Sequence, residues 1–209
     1  MLPLFWIVEI ALLFVAAHGL IIPHGGVHLE RRVVMSESDI NNKFQLMAKH
    51  IFEGEDKDKG SGRHMLRVWC KGNPKSRGIC HKETHLCYFS KNAKTVWDDR
   101  ANMFTEKEVE KMCKEAIKLN HLGVTTVKTT SFILNAKFGN ICVTHLTSGT
   151  GSCYPDGINP GDVLVNKRGS PLAVGEACPS GTGLDIKKSK FEEAVKCEEV
   201  NKSEEKEEK

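Results

Sequence analysis

Residues 63–87, RHMLRVWCKGNPKSRGICHKETHLC, decide how the rest of the chain is read. The stretch holds Cys70, Cys80 and Cys87, a tryptophan flanked by basic residues, and the histidines His81 and His85. From Arg63 to Lys82 it carries Arg63, Arg67, Lys71, Lys75, Arg77 and Lys82 and no Asp or Glu, although both signs are mixed elsewhere. A local positive field of that kind attracts anions. His64 to Lys71 alternates Leu66, Val68 and Cys70 against Arg67, Trp69 and Lys71, which is the period of a half-buried strand. That reading sets Trp69 on the solvent face between two cations, where its ring would serve as a stacking platform for a base or a sugar.

Cysteine usage fixes the class of protein. Cys70, Cys80, Cys87, Cys113, Cys142, Cys153, Cys178 and Cys197 form an even set with no C-x2-C pair. Disulfides are therefore the economical reading and a zinc site is not. Eight cysteines allow on the order of a hundred pairings, so the connectivity stays open. Export agrees with this. Leu2 to Ala17 is apolar apart from Glu9 and then gives way to polar sequence, as a signal peptide cleaved after Ala17 or Gly19 would. The competing reading, a membrane anchor, needs about 20 apolar residues, and no later segment approaches that. At 209 residues the chain has room for one ordinary domain with a leader and a tail. The expected organisation is a signal peptide over 1–19, then an arm, helix and loop over 20–62. A disulfide-stabilised domain follows over 63–200, with a disordered charged tail, NKSEEKEEK, over 201–209.

Local signals give the order of elements. Ser38 can cap a helix whose Ile40, Phe44, Met47 and Ile51 recur on one face, ending before Gly54. EGEDKDKGSG (53–62) is a solvated loop, KGNPKSRG (71–78) a turn, and THLCYFS (84–90) a second strand. Thr105 and Glu108 make a capping box for a helix with the stripe Val109, Met112, Cys113, Ala116 and Ile117, closed by Gly123. Because Cys113 points with that stripe, its partner should lie on whatever the stripe covers. Val124–Phe138 and Asn140–Thr147 read as a hairpin about Gly139-Asn140. Residues 148–162 are a loop stapled by Cys153, and short strands fit 163–165 and 172–174. Ser189-x-x-Glu192 opens a terminal helix carrying Phe191, Ala194, Val195 and Cys197. Strands pairing with their sequence neighbours give an α+β domain, an antiparallel sheet with helices packed on one face.

The chemistry offered is sparse. Arg63, Arg67, Trp69, Lys71, Lys75, Arg77 and Lys82 would bind an anionic macromolecule, an acidic glycan or a host protein surface, with RNA a further partner. His85 and His145, with Glu83 near the first, are the ingredients of a ribonuclease-type acid/base pair, though no spacing selects them. His81-x-x-x-His85 has the spacing of two helical metal ligands, yet it falls in turn and strand, so no metal is expected. An N-terminal His18 after cleavage at Ala17 could brace copper, and HGGVH (24–28) reads as a flexible arm. Neither a phosphate loop nor a Ser nucleophile elbow occurs, and no cofactor is implied. Asn201-Lys202-Ser203 is the one glycosylation sequon. In leader, paired cysteines and lack of catalytic motif the chain resembles the effector-like proteins that pathogens secrete toward a host. The expected function is interaction, with an RNase-like enzyme, or an inactive one, as the alternative.

Overall fold

Ser36 accepts a hydrogen bond from the backbone N–H of Asp39 and opens α1 (Glu37–Phe52), two residues before the serine expected from sequence. The apolar positions of α1 do what their spacing demands: Phe44, Met47 and Ile51 are buried and Ile40 packs against them. The computed structural model describes residues 34–55, 61–122, 129–156, 170, 172–178 and 192–207. The signal peptide, His18, the HGGVH arm, Gly123 and the strand expected at 163–165 lie outside them.

Leu66–Gly72 is a helix, α2, and not a strand. The strand reading and the helical one share Leu66 and Cys70, which stand at i and i+4 as well as at alternate positions. Trp69 separates them, because only a helix places it at i+3 on the buried side. Leu66, Trp69 and Cys70 are all fully buried, and Trp69 is 0% exposed. The strand pairing survives only at Met65, which bridges to Trp97. Since Met65 supplies no side-chain cap, the cap comes from elsewhere: the backbone N–H of Arg67 donates to the carboxylate of Asp99 at 2.9 Å.

Two antiparallel sheets follow. The first has the order β3 (Lys94–Trp97), β2 (Leu86–Phe89), β1 (Arg77–His81), β7 (Glu192–Lys196). The second is β4 (Thr129–Ala136), β5 (Gly139–Leu146), β6 (Ser152–Pro155). Between them in sequence runs α3 (Glu106–Leu122), whose capping box forms as expected, with Glu108 N–H donating to Thr105 Oγ1 at 3.3 Å and Thr105 N–H to Glu108 Oε2 at 2.8 Å. α4 (Cys197–Glu207) closes the chain. The class is α+β, as the order of elements implied.

The first sheet is apolar on both faces, with the alternation of its pleat visible in the burial. Cys80, Cys87, Phe89, Val96 and Val195 face α2 and α4, sharing a core with Trp69 and Val200. Leu86 and Trp97, paired across β2 and β3, face the other way into a core with α1, α3 and the second sheet. Gly78 lets the strands close up, since a β-carbon there would stand 2.7 Å from the Phe89 ring. The second sheet alternates likewise: Phe132↔Val143 and Leu134↔Ile141 face α3, while Ile133↔Cys142 face the opposite side. α1 therefore belongs to the same core as the rest, and no boundary falls at residue 62.

Several expectations are corrected at the ends. The hairpin turn is Lys137-Phe138, with Gly139 already paired to Ala136 at a φ of 108°. The loop after β5 contains β6. Residues 172–174 form no strand, although Ala177 bridges to Phe132. Glu192–Lys196 is a strand and not helix, because it completes the open edge of β1. The tail is a helix through Glu207, held by the burial of Val200 and by Glu204 against Arg67.

All eight cysteines are paired: Cys70–Cys197, Cys80–Cys87, Cys113–Cys153 and Cys142–Cys178. The Cys113 partner lies on β6, in the layer beneath the α3 stripe. Cys70–Cys197 closes the longest separation, 127 residues. Replacing Cys70 and Cys197 together by Ala is expected to remove about 2–5 kcal/mol. That lowers the melting temperature by roughly 2–4 °C per kcal/mol at this chain length. A variant melting with the wild type would show the bond to be redundant.

Candidate functional site

The basic stretch separates into three environments. Arg63 is internal scaffolding: its guanidinium donates to the carbonyls of Glu55 at 2.9 Å and Ser61 at 3.3 Å. Its side chain fills space left by Gly54 and Gly72, where a β-carbon would stand 2.3 Å and 3.0 Å from it. Arg67 is half-buried against Glu204, with Nε and Oε1 3.5 Å apart. Lys71, Lys75, Arg77 and Lys82 are exposed. Lys82 stands at the far end of β1 from Arg77, about 16 Å away at the rise of a strand.

Trp69 offers no face to solvent, so the stacking platform expected between Arg67 and Lys71 does not exist. Its ring lies 5.7 Å from Phe89, and the cation it meets is Lys94, 5.5 Å from the ring centroid on its buried side.

One cation that sequence order hides joins the exposed set. Lys196 on β7 pairs directly with Arg77 on β1, and side chains so paired share a face with Cβ atoms about 5 Å apart. Lys71 follows Cys70, Lys196 precedes Cys197, and the two cysteine Cα atoms are 4.6 Å apart. Lys71, Lys75, Arg77 and Lys196 thus form a cationic rim around that disulfide. Lys196 Nζ contacts Glu199 at 2.7 Å, between two exposed side chains where water screens the pair.

The same sheet face carries an aromatic. Ile79 pairs with Tyr88 on one side and Ala194 on the other, one row inward from Arg77↔Lys196. Tyr88 is half-buried, and its register puts it diagonal to Arg77, about 7–8 Å away and within reach of a long side chain.

The histidines named from sequence do not converge. His85 packs its ring 4.3 Å from that of Phe138, at the turn end of β5. His145 is buried near the other end, about 23 Å along the strand. Its Nδ1 lies 2.9 Å from the Asn120 amide, and burial, aided by Lys43, lowers its pKa to about 4. Glu83 is exposed in the β1–β2 turn. His81 is buried, with Nδ1 accepting from the N–H groups of Glu83 and Thr84 at 3.3 Å each. It shapes the turn and has that nitrogen occupied.

A different group comes together instead. His64 is buried with Nδ1 3.1 Å from the Thr95 carbonyl and Nε2 3.2 Å from Ser152 Oγ and 3.3 Å from Lys94 Nζ. Lys94 Nζ also donates to the Gly62 carbonyl. Tyr154 stacks on the His64 ring at 5.0 Å, and His50, bound to Glu55 at 3.1 Å, lies 6.0 Å away. Burial first, then Lys94, holds His64 well below the usual histidine pKa, so it is neutral, with Nδ1–H donating and Nε2 accepting. Sequence gave little signal for this group, because its members come from α1, the approach to α2, β3 and β6.

Asp98 is buried and gripped by Arg100, whose Nε and a terminal nitrogen reach its oxygens at 2.9 and 2.7 Å. It lies within ligand distance of Cys80 and Cys87, but those sulfurs are bonded to each other, so the three do not make a metal site. A groove of about 650 Å³ between α1 and α3 is lined by Ile40 and by lysines and glutamates, among them the ion pairs Lys114–Glu110 and Lys118–Glu115. Among the described residues no helix is long and apolar enough to cross a membrane.

His64 and His145 give the fold an acid response. Both pKa values are lowered in the folded state, so both rings stay neutral there while the unfolded chain takes up protons below about 6.5. Their stabilisation is complete above that pH and is lost as the pH falls towards 4. Asp99, raised by burial to about 6, works in the opposite direction over the same range. His145→Gln isolates one contribution. Its melting temperature should fall less between pH 7 and 4.5 than the wild type's, by roughly 3 °C or more. Parallel curves would remove His145 from the account.

No family model, no curated protein and no solved structure matches the chain.

Proposed function

We propose that this is a secreted, effector-like interaction protein that captures an anionic partner on the rim formed by Lys71, Lys75, Arg77 and Lys196. One observation carries the reading: three cations of one short segment and a fourth, Lys196, from far along the chain are exposed on a frame fixed by the Cys70–Cys197 bond and the β1–β7 pairing. Side chains projecting from such a frame lose little further backbone freedom on binding. Paired cysteines are compatible with life outside the cell, and export completes the reading. Arg63, Arg67 and Trp69 drop out of the binding surface because each is used inside the fold.

Reversal of Lys71, Lys75, Arg77 and Lys196 to Glu should abolish retention on a dextran sulfate matrix at low salt while leaving the melting temperature within about 3 °C. A control with Lys49, Lys107, Lys111 and Lys118 reversed carries the same net charge and should still be retained. Equal retention by wild type and rim variant, or equal loss in the control, would defeat a localised site.

A second reading, phosphodiester hydrolysis, is favoured by the His50–His64 pair with Glu55, Lys94 and Ser152 around it. His50, its side chain 15% exposed, is the more accessible of the two histidines and the one placed to exchange protons with a substrate. On this reading the protein cleaves RNA at pH 5 or 7, and His50→Ala cuts the rate at least a hundredfold. Intact RNA after prolonged incubation would exclude it.

A further inference from the structure

Resting on the rim just proposed as the binding site, we infer that its partner is a sulfated polysaccharide, seated with one sugar ring on Tyr88 and its sulfates on Arg77 and Lys196. Arg77 and Lys196 are like charges held directly opposite on neighbouring strands. That placement is unfavourable unless an anion lies between them, and the single carboxylate nearby, Glu199, contacts Lys196 directly and feels Arg77 only through space, leaving the pair a net positive charge. Arg77 offers the planar fork that takes two oxygens of one sulfate, and Lys196 a point charge beside it. One row inward, Ala194 is exposed, and Ile79 and Tyr88, half-buried with one side packed against the main core, leave a narrow apolar strip incompletely covered. It suits the C–H face of a sugar ring against the tyrosine.

Lys71 and Lys75 lie past Arg77 and Lys196, on the side of the sheet that α2 covers, and carry the charge around its edge, as a linear polymer with repeated sulfates requires. Single-stranded nucleic acid is the poorer match. It is held by successive bases stacked on successive aromatics, whereas Trp69, Phe89 and Trp97 of the surrounding framework are fully buried, which leaves Tyr88 as the one partly exposed aromatic of the first sheet among the described residues. Charge density separates sulfated from merely carboxylated polymers, since the rim has four cations to satisfy within a small area.

Calorimetry with the purified, disulfide-bonded protein tests this, using a heparin-derived octasaccharide, its desulfated counterpart and poly(U). The sulfated octasaccharide should bind, desulfation should weaken it at least tenfold, and Lys196→Glu should do the same. Tyr88→Leu should weaken sugar binding about fivefold, a loss of about 1 kcal/mol. Should that variant fold poorly, Tyr88→Phe keeps the ring and should bind like the wild type. Folded Tyr88→Leu with unchanged affinity, or equal binding of the desulfated sugar, overturns the inference. So does tighter binding of poly(U) through Arg77 and Lys196, which would leave the anionic-partner reading standing. If neither polyanion binds, both readings fall.

Discussion

The bond between Cys70 and Cys197 ties the helix that precedes the first sheet to the junction of that sheet's last strand with the closing helix. Cys70 closes the last turn of α2, and Cys197 is the hinge at which β7 becomes α4. With that bond in place, β7 lies against β1, the Cys197 N–H donates to the Ser76 carbonyl at 3.0 Å, and Val195 and Val200 complete the layer over Trp69. Without β7 the edge of β1 would present unpaired backbone groups to solvent. The C-terminal segment is therefore a structural component of the domain, despite a composition typical of disordered tails.

Burial of the first sheet on both faces explains how the charges are allotted. A sheet covered on two sides leaves few exposed positions, so basic residues on the elements that cover it either turn inward to serve the fold or gather at its rim. Arg63 clamps a loop, Arg67 faces the acidic α4, and Lys94 lies among Trp69, His64 and the Gly62 carbonyl. What remains exposed of the run is Lys71, Lys75 and Arg77 where α2, β1 and β7 meet, with Lys82 apart at the other end of β1. A run of positive residues in the sequence thus becomes a much smaller positive surface in the fold, with one member, Lys196, drawn from far outside the run.

The sequence was most legible where a signal had a single physical reading. The α3 capping box and stripe, the core face of α1, the β4–β5 hairpin and complete cysteine pairing all belong to that class. Residues 66–72 failed because Leu66 and Cys70 satisfy both a period of two and a period of 3.6, and the alternation of a strand places Trp69 with Arg67 and Lys71 on the outer face. Glu192–Lys196 failed for a non-local reason: a strand there is favoured by the vacant edge of β1, more than a hundred residues earlier. The site suffered in the same way. Arg77 was visible, but Lys196 and Tyr88 become its neighbours only through strand register, and the His64 group gathers residues from four separate elements.

Asn201 belongs to the only glycosylation sequon, and its amide nitrogen already donates to the Cys70 carbonyl at 3.2 Å from a half-buried position on α4. An oligosaccharide attached to that nitrogen would have to be accommodated where α4 rests on α2. A sugar on that nitrogen would therefore compete with the contact that seats the closing helix on the last turn of α2.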